Sequence, residues 1–103
     1  MKRAKAGEFW SINDSRTRGH KSLITKSQKN GKINHIPITH APKTRNMKNI
    51  PLKENPQRGN KTQAYAIPKK QTTKAKFLGK KQNDMRIKNK TDKSIFRKIK
   101  KTK

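Results

Sequence analysis

Lys21-Ser22-Leu23-Ile24-Thr25-Lys26-Ser27-Gln28-Lys29-Asn30-Gly31-Lys32-Ile33-Asn34-His35-Ile36-Pro37-Ile38-Thr39-His40 decides the fold. Two runs rich in β-branched residues flank Asn30-Gly31, the strongest short hairpin signal in the chain. That dipeptide predicts a type I′ turn, which needs positive φ at both central residues. The predicted strands are 21–28 and 32–40. Side chains alternate along a strand, so Ile36 and Ile38 fall on one face of the return strand and His35, Pro37 and Thr39 on the other. Pro37 removes a ladder donor, which predicts an edge or a bulge at that position.

Working outward, 7–13 contains Phe9 and Trp10 and reads as a first strand, followed by a polar, basic loop over 13–20. Segment 41–48 reads as a loop, 49–54 as a strand with Ile50 and Leu52 on one side, 55–60 as a turn and 63–68 as a further strand. Phe77 and Leu78 precede Gly79, and Met85-Arg86-Ile87 suggests a last short strand. Thr91-Asp92 suits the start of a helix whose Ile95, Phe96 and Ile99 share one face. Five or six short strands and one late helix predict a mainly β fold, a small twisted barrel or half-barrel. Its expected core is Phe9, Ile12, Leu23, Ile36, Ile38, Ile50, Leu52, Tyr65, Ile67 and Leu78. The expected organisation is a basic N-terminal arm at 1–6, a barrel over 7–90 and a basic C-terminal helix and tail over 91–103, with Lys98 to Lys103 as a mobile arm. Such a thin core gains from dimerisation or a bound partner.

The chain has 103 residues, 26% of them hydrophobic, which bounds it to one domain without a large deep cavity. Cysteine is absent, which excludes disulfides, thiolate metal sites and cysteine nucleophiles. No apolar run approaches the length of a membrane span, and the basic start lacks the apolar segment of a signal peptide. The expected compartment is the cytoplasm. Thirty Lys and Arg against five Asp and Glu leave a formal charge of +25. That excess implies a polyanionic partner, RNA or DNA held through its phosphates, rather than a membrane surface. Lysine outnumbers arginine 23 to 7, which favours contact with the backbone over reading of base edges.

The acids Glu8, Asp14, Glu54, Asp84 and Asp92 are dispersed and form no carboxylate pair. His35 and His40 have no carboxylate near them in sequence, so neither a metal site nor a cofactor is expected. Phosphate-binding and acyl-serine motifs are missing. RNA cleavage by the RNA's own 2′-hydroxyl survives this inventory, since it asks the protein only for a base, an acid and cationic stabilisation. Arg16, Arg18, His20, Lys21, Thr39 and His40 are the available set; Lys43 and Arg45 add cations for nucleic-acid contact. Trp10 and Tyr65 either stack on bases or pack in the core.

The order of short motifs carries a resemblance. Gly7-Glu8-Phe9-Trp10, Gly19-His20-Lys21-Ser22-Leu23-Ile24, Pro37-Ile38-Thr39, Ile50-Pro51-Leu52, Tyr65-Ala66-Ile67 and Lys76-Phe77-Leu78-Gly79 follow the sequence of motifs in the MazF/PemK-like toxins. The resemblance spans about residues 7–80. It implies an SH3-like barrel, usually dimeric, that cleaves single-stranded RNA without metal and is countered by an acidic antitoxin. The family's phosphate-serving threonine corresponds to Thr39, and its arginine to Lys21, with Ser22 replacing the following proline. Lysine keeps the charge but loses the planar bidentate grip on phosphate; Arg18 is the nearby arginine in the loop. Two other readings stand beside this one: a non-catalytic RNA- or DNA-binding protein of a mobile element or phage, and a ribosome-associated structural protein. Specificity would reside in loops 14–20 and 41–48.

Overall fold

A computed structural model describes residues 3–13, 20–28 and 30–101. Strands β1 (Phe9–Ile12), β2 (Lys21–Ser27) and β3 (Lys32–Thr39) open the fold. Four two-residue strands follow: β4 (Lys43–Thr44), β5 (Met47–Lys48), β6 (Ile50–Pro51) and β7 (Tyr65–Ala66). Then come β8 (Gln71–Lys74), a 3₁₀ turn (Ala75–Phe77), β9 (Leu78–Lys81) and helix α1 (Lys90–Lys100). The main sheet runs β6-β7-β3-β2-β1-β9, with β8 also paired to β3, and β4-β5 form a separate small hairpin. The protein is the expected mainly β, small barrel-like domain with one C-terminal helix.

The β2–β3 hairpin is its centre, and both of its faces are buried. Phe9, Leu23 and Ile36 stand in cross-strand register. With Ile38, Leu52, Ala64, Ala66 and Met85 they form one cluster, closed by Phe96 and Ile99 of α1. On the other face Trp10, Ile12, Ile24, Ile33 and Leu78 make a second cluster with Ala4. A register shift between Ile24 and Lys26 leaves Thr25 as an extra residue, a bulge that bends β2 and increases its twist. His35 sits in this second face with no exposed surface. Its Nδ1 lies 3.0 Å from Ser22 Oγ and its Nε2 2.8 Å from Thr73 Oγ1, so both ring nitrogens meet hydroxyls.

Several local expectations are corrected. The hairpin closes through the Gln28 N–H to the Lys32 carbonyl at 2.8 Å. Gly31 has positive φ, at 79°. The connection is therefore the three-residue type with glycine in the left-handed position, not the two-residue type I′ turn. Pro37 is buried in the middle of the sheet instead of lying at an edge. Its carbonyl accepts from the Ile67 N–H at 3.1 Å, so its missing donor faces the place where β3's neighbour changes from β8 to β7. Segment 41–48 contains the β4–β5 hairpin. The fourth and fifth strands shrink to Ile50–Pro51 and Tyr65–Ala66. Met85 makes a lone bridge to Gln57, not a strand. β8 was hidden by its polar sequence, since the partner of Thr73 is a buried histidine far away in the chain.

The helix is capped by Asn89, whose Oδ1 accepts from the Thr91 and Asp92 N–H groups at 2.8 and 3.3 Å, rather than by Thr91-Asp92. Asp92 is buried and its carboxylate accepts from the Lys53 and Glu54 N–H groups at 2.7 and 3.0 Å, tying α1 to the chain after β6. Of the expected C-terminal arm, Lys98 and Lys100 stand in α1, whose Ile99 is buried; Lys103 lies outside the described residues. At the other end the Ser27 hydroxyl donates to the Ala4 carbonyl, so the described part of the N-terminal segment is pinned to β2. No helix among the described residues is long and apolar enough to cross a membrane.

Candidate nucleic-acid interface

The β2–β3 pairing that builds the core also assembles the site. Its register sets Ser22 opposite Pro37, and beyond that pair His20 and Thr39 line the same two hollows. Two adjoining hollows open there. The first, about 370 Å³, is lined by His20, Lys21, Ile38, Thr39, His40, Ala41, Asn55, Gln57 and Met85. The second, about 510 Å³, is lined by His20, Pro37, Thr39, Thr44, Arg45, Asn46, Met47, Ile67, Lys69 and Gln71. His20 and Thr39 thus form the shared wall. The His20 carbonyl accepts from the Ile12 N–H at 3.0 Å, which fixes its backbone against β1. Thr39 Oγ1 accepts from the Ala41 N–H at 3.2 Å, leaving the hydroxyl proton available to donate. Tyr65 is the register partner of Thr39 and lies on the same face, half-buried.

The outer wall of the second hollow is the β4–β5 hairpin. Asn49 clamps it: its Nδ2 donates to the Ala41 carbonyl at 2.9 Å and to Thr44 Oγ1 at 2.8 Å. The hairpin turns at Arg45, an exposed non-glycine residue at φ 55°, a conformation that costs on the order of 1 kcal/mol. Gln71 lines this hollow, and its side-chain oxygen is buried without a hydrogen-bond partner among the described residues.

Of the residues singled out by sequence, Lys21, Thr39, His20, His40 and Arg45 are gathered around the two hollows. Lys43 is exposed on β4 and lines neither. Arg16 and Arg18 lie outside the described residues. Trp10 is buried in the core, its Nε1 donating to Glu8 Oε1 at 3.2 Å, so it offers no stacking face. Asn55, Gln57, Lys69 and Gln71 were missed. Their local sequence signals only turns and a polar stretch, and what recruits them is the long-range pairing of β7 and β8 with β3. Among the described residues no group of three or more His, Asp or Glu is placed to hold a metal ion.

Among the described residues no Asp or Glu lines either hollow. Glu8 forms an ion pair with Lys81 at 2.7 Å. The hydrogen bond from Lys81, then that from the Lys5 backbone, holds the Glu8 carboxyl at about 2 against an ordinary 4.5; burial opposes the shift and Trp10 adds to it. Compared with known proteins, the chain matches no family and no curated sequence.

Proposed function

We propose that the protein binds single-stranded RNA across the paired hollows and cleaves it through the RNA's own 2′-hydroxyl, as its resemblance to the MazF/PemK-like toxins implies. The observation that supports this is the convergence of two imidazoles, a lysine and a threonine hydroxyl on one rim, with His20 and Thr39 common to both hollows. A phosphate on that rim meets the Lys21 ammonium and the Thr39 O–H, which stabilise the charge that grows on its non-bridging oxygens. In the reaction the 2′-oxygen bonds to phosphorus as the bond to the 5′-oxygen breaks, giving a 2′,3′-cyclic phosphate and a free 5′-hydroxyl. One imidazole takes the 2′-proton and the other returns a proton to the leaving oxygen, work for which histidine is suited near neutral pH. In this reading a base stacks on Tyr65, half-buried on the face of Thr39.

A second reading, an RNA-binding barrel without cleavage, draws on Lys21 standing where the resemblance expects an arginine. Purified protein incubated with single-stranded RNA in EDTA separates the two. Discrete fragments ending in cyclic phosphate, lost by about 100-fold or more in Thr39→Ala and Lys21→Ala, are expected. Intact RNA combined with salt-sensitive binding would retire the cleavage step and leave the second reading.

A further inference from the structure

The path does not end at the first hollow. Asn55 and Gln57 also line a third, of about 340 Å³, whose rim carries Lys53, Arg58, Lys61, Arg86 and Lys88 with Glu54 as its acid. Its two walls are joined by backbone: the Arg58 N–H donates to the Asp84 carbonyl at 2.8 Å and the Arg86 N–H to the Pro56 carbonyl at 2.9 Å, either side of the Gln57–Met85 bridge. Met85 is buried in the main core, so this rim is anchored to the barrel. The crossing point is ordered as well, because Asn55 Nδ2 donates to the Thr62 carbonyl at 2.9 Å and Asn60 Nδ2 to Gln57 Oε1 at 3.2 Å.

None of the five rim cations is ion-paired among the described residues. Like charges gathered in one concavity repel each other, and an entering polyanion relieves that repulsion. Two of the chain's seven arginines are here, and guanidinium groups grip phosphate through two parallel N–H donors.

We infer that the third hollow continues the RNA path: a single strand leaving the Thr39 rim passes over Asn55 and Gln57, and its next phosphates are held by Arg58, Lys61, Arg86 and Lys88. This rests on the RNA-binding reading of the first two hollows and extends it to a longer strand. The probes are fluorescein-labelled oligouridylates with 2′-O-methyl riboses, which cannot be cleaved by their own 2′-oxygen, as a trinucleotide and a decanucleotide. Anisotropy titrations over a range of salt compare wild type, Lys21→Gln and the double variant Arg58→Gln/Arg86→Gln; both arginines are exposed, and circular dichroism verifies that the variants fold.

The expected result is a decanucleotide that binds about tenfold tighter than the trinucleotide. The double variant removes most of that gain and lowers the salt slope by about 1.4, roughly 0.7 for each lost phosphate contact on a single strand. Lys21→Gln weakens both probes. A double variant with unchanged decanucleotide affinity and slope, beside a weakened Lys21→Gln, would stop the path at Gln57 and leave the RNA-binding reading standing. Competition by inorganic phosphate as strong as that by the decanucleotide would make the hollow an isolated phosphate site and overturn the continuous path. Insensitivity of both probes to Lys21→Gln would overturn the RNA-binding reading and the path with it.

Discussion

Lys81 and Arg58 carry the same formal charge in very different settings. At the seam between β1 and β9, Lys81 meets Glu8 at 2.7 Å, and Glu8 also accepts from the Lys5 backbone and Trp10. In the third hollow Arg58 stands with four other cations and no ion-paired acid among the described residues. The net charge of +25 is therefore not a uniform coat. Of the four acids described, Glu8 neutralises a lysine, Asp92 serves backbone amides, Asp84 accepts from Gln57 Nε2 at 3.4 Å, and Glu54 stands on the rim of the third hollow against five cations. One region uses opposite charge to close the barrel; the other keeps cations unmatched in a concave surface. The comparison predicts that charge removal weakens the fold at the first and the binding at the second.

The largest effect is expected from Asp92, because the unmatched region depends on it for its shape. Asp92 is 2% exposed and its carboxylate accepts from the Lys53 and Glu54 N–H groups, so it holds the wall of the third hollow to α1. Asp92→Ala leaves both donors without that partner and is expected to cost about 3 kcal/mol. Urea denaturation followed by Trp10 fluorescence measures it. A loss below about 0.5 kcal/mol, the range of an ordinary surface change, would detach that wall from the helix.

Gly79 probes the matched seam. A Cβ there would lie 2.2 Å from Ser11 Oγ and 2.8 Å from Asn13 Nδ2, and the Ser11 hydroxyl already accepts from the Lys80 N–H at 2.7 Å. Gly79→Ala must displace that hydroxyl and is expected to cost about 1–3 kcal/mol. Gly79→Ala combined with Ser11→Ala should recover part of the loss in thermal melts. No recovery would move the conflict to Asn13 Nδ2 at 2.8 Å or the Ser11 backbone oxygen at 3.2 Å.

Much of this was legible in the sequence, and the gaps have physical reasons. The hairpin, the first strand, the apolar face of α1 and the mainly β class follow from local pattern, since Leu23, Ile36, Phe96 and Ile99 repeat at the period of their own element. Lys21, Thr39, His20 and His40 were identifiable as residue types, but the register beneath them was not, because the longer turn and the extra residue Thr25 shift the pairing from the one a two-residue turn at Asn30-Gly31 implies. β8 was not legible: Gln71-Thr72-Thr73-Lys74 looks like loop until the buried His35 supplies a partner for Thr73. Pro37 misleads for a similar reason, because a local rule placed it at an edge or a bulge while the exchange of β8 for β7 made room for it at the centre. The third hollow joins 53–61 to 84–88, and its cations, scattered through a chain full of lysine, acquire a shared direction only through the Gln57–Met85 bridge.

Opposite signs are expected when single charges are removed. Lys81→Gln loses its pairing with Glu8, but Lys81 is 45% exposed, which limits the cost to less than about 1 kcal/mol. Arg58→Gln and Arg86→Gln remove mutual repulsion and are expected to leave the melting temperature unchanged or slightly higher. A fall in melting temperature for either arginine variant equal to that for Lys81→Gln would erase the distinction between the two regions.

The pH dependence of the Glu8 pairing gives the clearest sign. Glu8 has a carboxyl held at about 2 in the folded chain against an ordinary 4.5, so the folded state favours its charged form. A depressed carboxylate contributes stability that is fully present above about 4.5 and disappears as pH falls through about 2. Wild type should therefore exceed Glu8→Gln in melting temperature at neutral pH by a gap that narrows below about 4.5 and closes near 2. A gap that persists at the acid end would assign the contribution of Glu8 to hydrogen-bond geometry rather than charge. Salt should act on the two regions in opposite directions: added ions screen the Glu8–Lys81 attraction and shrink the gap, while they also screen repulsion among Arg58, Lys61, Arg86 and Lys88 and raise the melting temperature of both proteins. If salt lowers both melting temperatures instead, attraction outweighs repulsion across the surface, and the unmatched hollow is not where the excess charge is concentrated.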